Sequence, residues 1–108
     1  MKEMRRKNNF IKCRPDFFTK DSIVAMRRLP GGEAYVMLYL TLLTIAVEND
    51  GYLHYEGIEN THEEELALSL DENINKLRMG INLFRTLGLL EDCKNGDYYF
   101  PDAVYMKG

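Results

Sequence analysis

Asn75, Lys76, Arg78, Asn82 and Arg85 are residues whose types and spacing suit a definable chemistry. An Asn side chain can pair bidentately with the N6/N7 edge of adenine, and Arg or Lys with guanine or with phosphate oxygens. On a helical wheel of about 100° per residue, Ile74, Leu77, Ile81, Phe84 and Leu87 share one face, spaced by three or four. If that face meets a core, Glu72, Asn75, Met79, Asn82 and Thr86 point outward. Arg78 and Arg85 then lie near the boundary on one side, and Lys76 and Leu83 flank the other. Lys94 and Asn95, at a hairpin tip, and Arg5, Arg6 and Lys7 near the N-terminus add candidate phosphate contacts. The same face has a plainer reading, with Asn and Lys simply in solvent and Met79 and Leu83 marking a protein contact. It is not rich in cations, and affinity for nucleic acid is mostly phosphate neutralisation. Both readings stay open.

Other chemistries find no support. His62-Glu63-Glu64-Glu65 lacks the second His of a zinc helix, and His54 and His62 are the only histidines. No Cys or His cluster has metal-ligand spacing. The acidic run reads as a solvated helix start favoured by the helix dipole. Gly31-Gly32 lacks the Lys-Ser/Thr of a P-loop and reads as a turn. No Ser or Cys has a base partner at a suggestive spacing. The expectation is a binding module without enzyme activity, metal or cofactor.

The elements that would position these residues follow from local signals. Thr61 and Glu64 are spaced as a capping box, and Asp71 can cap the next helix. Gly88 sits where a left-handed residue ends a helix, and Asn95-Gly96 suits a two-residue type I′ turn. Short helix, turn, longer helix over 71–87 and hairpin is the order of a winged helix. The predicted fold is therefore α+β and mainly helical: a helix-turn-helix plus a β-hairpin wing, with an additional N-terminal strand and helix. The strand is Asn9 to Arg14, stopped by Pro15. The helix is Asp21 to Arg28, broken by Pro30-Gly31-Gly32. Glu33 to Glu48 is apolar nearly all round, and its run from Ala34 to Val47 is shorter than the roughly twenty residues a bilayer requires, so it reads as a buried core helix. Tyr52 to Tyr55 can add a third strand. Pro101 closes the last strand, and Val104-Tyr105-Met106 can pack back as a final turn.

At 108 residues the chain suits one domain, divided here into a flexible basic arm over 1–8 and a winged-helix domain over 9–108. Apolar content of 45% and charged content of 29% fit a globular chain rather than a disordered one. The net charge of −3 hides an asymmetry: residues 1–28 hold nine Lys/Arg against three Asp/Glu, and residues 29–108 hold five against fourteen. A basic arm on an acidic body fits nucleic-acid contact through the arm but not a wide basic face. Cys13 and Cys93 form no Cys-x-x-Cys pair and no signal peptide is visible, so two reduced thiols in a cytoplasmic protein are expected. Phe10 and Ile11, on a possible edge strand, join Met79 and Leu83 as candidates for a protein interface.

The ordered set Phe10-Ile-Lys-Cys-Arg-Pro-Asp-Phe-Phe18, Leu29-Pro-Gly-Gly-Glu-Ala-Tyr35, Tyr39-Leu-Thr-Leu-Leu43, Asp50-Gly-Tyr-Leu53, Asn75-Lys-Leu-Arg-Met79, Leu87-Gly-Leu-Leu-Glu91 and Tyr98-Tyr-Phe-Pro-Asp102 resembles the N-terminal domain of phage replisome organisers. That domain is related to the winged-helix domain of DnaD-type primosome proteins. One departure is Phe10, where a Trp is usual. The resemblance implies a part in starting phage or prophage replication in a bacterial host cell: binding double-stranded origin DNA and helping to load the helicase. The implied partners are origin DNA, the helicase or its loader, and further copies of the chain as dimer or tetramer, with no membrane. It equally admits an oligomerisation scaffold of the replisome, and the fold alone admits a transcriptional regulator.

Overall fold

A computed structural model describes residues 20–106 as helices α1 (Asp21–Arg27), α2 (Gly32–Val47), α3 (His62–Leu70), α4 (Ile74–Thr86) and α5 (Ala103–Met106), with strands β1 (Tyr52–Leu53), β2 (Glu91–Asp92) and β3 (Tyr98–Tyr99). The fold is mainly helical α+β. Its small antiparallel sheet is ordered β1-β3-β2, with Tyr52 opposite Tyr99 and Glu91 opposite Tyr99 on the other side. The predicted third strand is thus β1. Among the described residues no helix is long and apolar enough to cross a membrane. The predicted strand over 9–14 and the arm with Arg5, Arg6 and Lys7 lie outside the described residues, as do Phe10 and Ile11.

Helix α2 is the axis. Val36, Leu38, Tyr39, Leu42, Leu43, Ala46 and Val47 are buried along it, and Leu40 and Ile45 are half-buried against the same core. The other helices cover this face, while Ala34, Met37 and Thr41 on the opposite side face solvent. α1 contributes Ile23 and Met26, and α4 contributes Leu77, Ile81 and Phe84. Tyr39 is the centre of this packing. Its ring lies 5.3 Å from that of Phe84 and 6.0 Å from that of Phe100. Its hydroxyl donates to Asp102 Oδ2 at 3.0 Å, and Lys20 Nζ meets the same oxygen at 2.6 Å. Burial pushes the Tyr39 phenol far above its ordinary range, and the Asp102 charge adds to this. The final turn, α5, packs back through Ala103 and Met106, while Val104 and Tyr105 face solvent.

Helix ends correct two sequence expectations. Thr61 caps α3 as predicted, accepting from Glu64 N at 3.1 Å. Asp71, however, does not cap the next helix. It ends α3 in the left-handed region (φ 53°), where a short polar side chain is tolerated, with Glu72 N bonded to Ala67 O at 2.9 Å. The cap of α4 is Asn73, whose Oδ1 accepts from Asn75 N (2.9 Å) and Lys76 N (3.1 Å), so the helix starts at Ile74 rather than near 71. Gly88 ends it as expected (φ 76°), with Leu89 N bonded to Phe84 O at 2.8 Å.

The hairpin turn is not type I′. That geometry requires two left-handed residues, and Gly96 (φ 92°) is left-handed while Asn95 is not. Gly96 N bonds Cys93 O at 3.1 Å and Cys93 N bonds Asp97 O at 2.9 Å, giving a three-residue loop with a glycine bulge. The Asn95 side chain holds this form: its Oδ1 accepts from Asp97 N at 3.1 Å.

The α1–α2 corner needs a glycine for a reason that spacing alone does not show. A Cβ on Gly32 would lie 2.1 Å from the Met26 carbonyl oxygen, a backbone atom that cannot move away alone. Gly32→Ala is expected to cost at least about 1–3 kcal/mol by overpacking. Phe84→Ala, at the fully buried centre, is expected to cost about 3–5 kcal/mol through lost transfer energy and the cavity left behind. Denaturant melts check both; a Phe84→Ala loss below about 1 kcal/mol would contradict the packing described.

Candidate nucleic-acid interface

The outer face of α4 carries Asn75, Arg78, Met79, Asn82 and Thr86 in solvent, with Lys76 and Arg85 half-buried at its borders. The amphipathic wheel thus places the candidates as expected. Leu83 lies at the border, as the wheel placed it. It is half-buried and packs against the core, which leaves Met79 as the exposed apolar side chain of this helix.

What spacing could not show is that each cation of α4 faces a carboxylate. Lys76 Nζ lies 3.6 Å from Glu72 Oε1, one turn back on the chain. Arg78 Nη2 lies 4.0 Å from Glu64 Oε2 on α3. Arg85 is held most firmly: Nε and Nη2 donate to Asp92 at 2.6 and 2.9 Å, and Nη1 donates to Asn82 Oδ1 at 2.6 Å. The hydrogen bond from Arg85 holds the Asp92 carboxyl below its usual range and raises the guanidinium in turn. Arg85 and Asn82, read from sequence as groove contacts, are therefore part of a clamp between α4 and β2. Asn95 is likewise engaged in its own turn. Lys94, beside it at the hairpin tip, is exposed.

A second clamp fixes the hairpin to α3 and to the segment after β1. Asp97 is buried and accepts from Tyr55 N (2.8 Å), from the His54 ring at Nδ1 (2.8 Å) and from Asn95 Nδ2 (3.2 Å). The Tyr55 N–H is the main cause holding its carboxyl below the ordinary range; His54 and Asn95 act in the same direction, against burial. His62, at the start of α3, is buried between aromatic rings, stacked on Tyr98 at 4.4 Å and 8° and on Tyr55 at 5.4 Å. Its Nδ1 is 2.9 Å from the Gly96 carbonyl, which can only accept, so Nδ1 carries the proton. Glu65 closes the loop before α3, accepting from Glu56 N and Ile58 N at 2.8 Å each; the Glu56 N–H is the first cause of its lowered carboxyl. The spacing of the two histidines in the sequence raises only the question of metal ligation, which it does not support. Nothing in their spacing reveals a stacked ring or an aspartate partner forty-three residues away.

The outcome is one unit, α3–turn–α4–hairpin, in which Arg85 and Asp92 tie the end of α4 to β2 and His62 ties the start of α3 to the hairpin tip. Its electrostatics are restrained: residues 20–106 carry seven Lys/Arg against fifteen Asp/Glu. Among the described residues no group of three or more His, Cys, Asp or Glu is placed to hold a metal ion.

The family model of the N-terminal phage replisome organiser matches residues 10–107. The chain belongs to that family. The match covers the whole unit just described, so α4 and the hairpin are parts of an organiser domain. No curated protein and no solved structure matches the chain significantly.

The two clamps make acid sensitivity local. Asp97, Asp92 and Glu65 all have lowered folded-state values, so their contribution is present above the ordinary carboxylate range near pH 4 and lost as pH falls through those lower values. Hydrogen exchange at the Tyr55 amide should accelerate in that window, below about pH 4. Asp97→Asn should bring faster exchange at Tyr55 already at neutral pH and a shallower acid limb; an unchanged acid limb would contradict the assignment.

Proposed function

We propose that this organiser domain binds duplex origin DNA, with α4 in the major groove and the hairpin as a wing against the neighbouring backbone. The order α3–turn–α4–hairpin, which is that of a winged helix, supports this reading. The observation that carries it is the exposure of Asn75, Arg78 and Asn82 on one face of a helix that Arg85 and Asp92 lock to the hairpin bearing Lys94. Asn75 reads a base edge. Lys76, Arg78 and Lys94 meet phosphate, joined by Arg5, Arg6 and Lys7 of the arm. Asn82 reads with the amide nitrogen that its bond to Arg85 leaves available. Lys76 and Arg78 exchange a carboxylate for a phosphate on binding, and exposed ion pairs are worth only about 0–1 kcal/mol, so this exchange is a small barrier. Arg85 stays on Asp92 as a positioning residue. In the bacterial host such binding places the organiser at the origin, where the helicase or its loader is recruited.

A second reading is an assembly module, favoured by the exposed Met79 on a charge-compensated helix. Several copies then supply together the phosphate contacts that one acidic copy lacks.

Fluorescence anisotropy with origin-derived and scrambled duplexes tests the proposal. Log K should fall linearly with log salt, by about 0.9 for each phosphate contact, and Arg78→Ala should flatten that slope by about one contact. Asn75→Ala should relax preference at one base position by roughly 1–3 kcal/mol if the contact is bidentate. No binding at low salt would overturn the reading. Light scattering then decides the second one, since a strict monomer at high concentration removes it.

A further inference from the structure

Two surfaces of the described chain are complementary to each other. The first is a groove of about 480 Å³ between the end of α2, the segment after β1 and α3. Ile58 and Leu68 stand on it, 73% and 68% exposed. Its rim is acidic. Glu65 is occupied by the loop amides, but Glu56 and Glu59 have no cation among the described residues. The second surface lies toward the other end of α2, a concavity of about 360 Å³ lined by Arg27, Glu33, Val36 and Met37. Met37 is 62% exposed there, and Leu29 stands exposed at the neighbouring corner. Arg27 and Arg28 are exposed and have no carboxylate partner among the described residues. Large apolar side chains exposed together over a concave surface mark interaction sites. Here one such surface is rimmed by carboxylates and the other by guanidinium groups. Met37 and Ile45 are eight residues apart on α2, about 12 Å along its axis. Both surfaces are thus built on one helix, and a single copy cannot bring them together.

We propose that the occupant of the groove is a second copy of this chain, docked head-to-tail through its Arg27–Leu29 corner and Met37. Methionine is unbranched and fills irregular apolar gaps, so Met37 enters the groove beside Ile58 and Leu68. Arg27 and Arg28 meet Glu56 and Glu59. The apolar contact carries the affinity, and the exposed ion pairs, each weak, choose the orientation. A carboxylate rim repels a polyanion, so nucleic acid is not the occupant. A contact between unlike patches is not symmetric. Each copy keeps one groove and one basic corner unfilled, and copies add until a ring closes or a filament forms. The assembly reading above rests on Met79. This contact goes beyond it, because it uses no residue of α4 and leaves the outer face of that helix free in every copy.

Light scattering of the full chain, from micromolar to millimolar and without DNA, tests the docking apart from the DNA-binding reading. The mass of the wild type should rise past two copies. Arg27→Glu with Arg28→Glu disables the basic corner, and Ile58→Ser with Leu68→Ser disables the groove; all four positions are exposed. Each double variant alone should associate roughly tenfold more weakly, the scale of two exposed ion pairs reversed. Mixed one to one, the two variants should form a complex of two copies that grows no further. The arginine variant then offers its intact groove to the intact corner of the serine variant, and no second contact of that kind is left. Formation of that complex also shows that both variants are folded. Met79→Ser should leave association unchanged. A wild type that stays monomeric at millimolar concentration or stops at two copies would overturn the proposal. So would double variants that associate like the wild type, or a mixture that forms no complex.

Discussion

The Tyr39 side chain is the constraint on which the rest of this fold depends. A helix as apolar as α2 must be covered over most of its surface, but apolar cover alone specifies no unique arrangement. Tyr39 supplies the specification. Its ring touches Phe84 of α4 and Phe100 just after β3, and its hydroxyl is answered by Asp102, which Lys20 also holds. One side chain thereby sets the distance between α4, the hairpin and both ends of the described chain. Gly80 completes the fit: a Cβ there would lie 2.7 Å from Leu38 Cδ2, so α4 approaches α2 closely at that point.

What was legible in the sequence were features whose cause lies within a few residues. The cap at Thr61, the helix end at Gly88, the buried α2 and the apolar face of α4 are set by local hydrogen bonding and periodicity. Asp71 and Asn73 show the limit. Both residue types favour caps, and the choice between them depends on where the chain must turn left-handed between two packed helices. Asn95-Gly96 likewise suits a two-residue turn in isolation, but the demand of Asp97 for Tyr55, His54 and Asn95 selects the longer loop.

The electrostatic partners were hidden for a different reason. Arg85 reads as a free cation on a wheel, because the wheel contains neither β2 nor Asp92. Arg78 meets Glu64 from another helix in the same way. These pairs change what the surface can do. They remove much of the local positive field while fixing the angle between helix and hairpin, exchanging raw attraction for geometry. Family membership and this geometry together describe an organiser domain whose α4 face is preformed and charge-compensated.

Amide chemical-shift mapping tests that surface most directly. The labelled full chain is titrated at low salt with an origin-derived duplex. Perturbations are expected along the outer face of α4 from Asn75 to Asn82 and at Lys94 and Asn95, with the Arg85 side-chain resonance, held by Asp92, little changed. Perturbations absent from α4, or confined to other faces of the domain, would contradict the assignment of this helix as the DNA-contacting element.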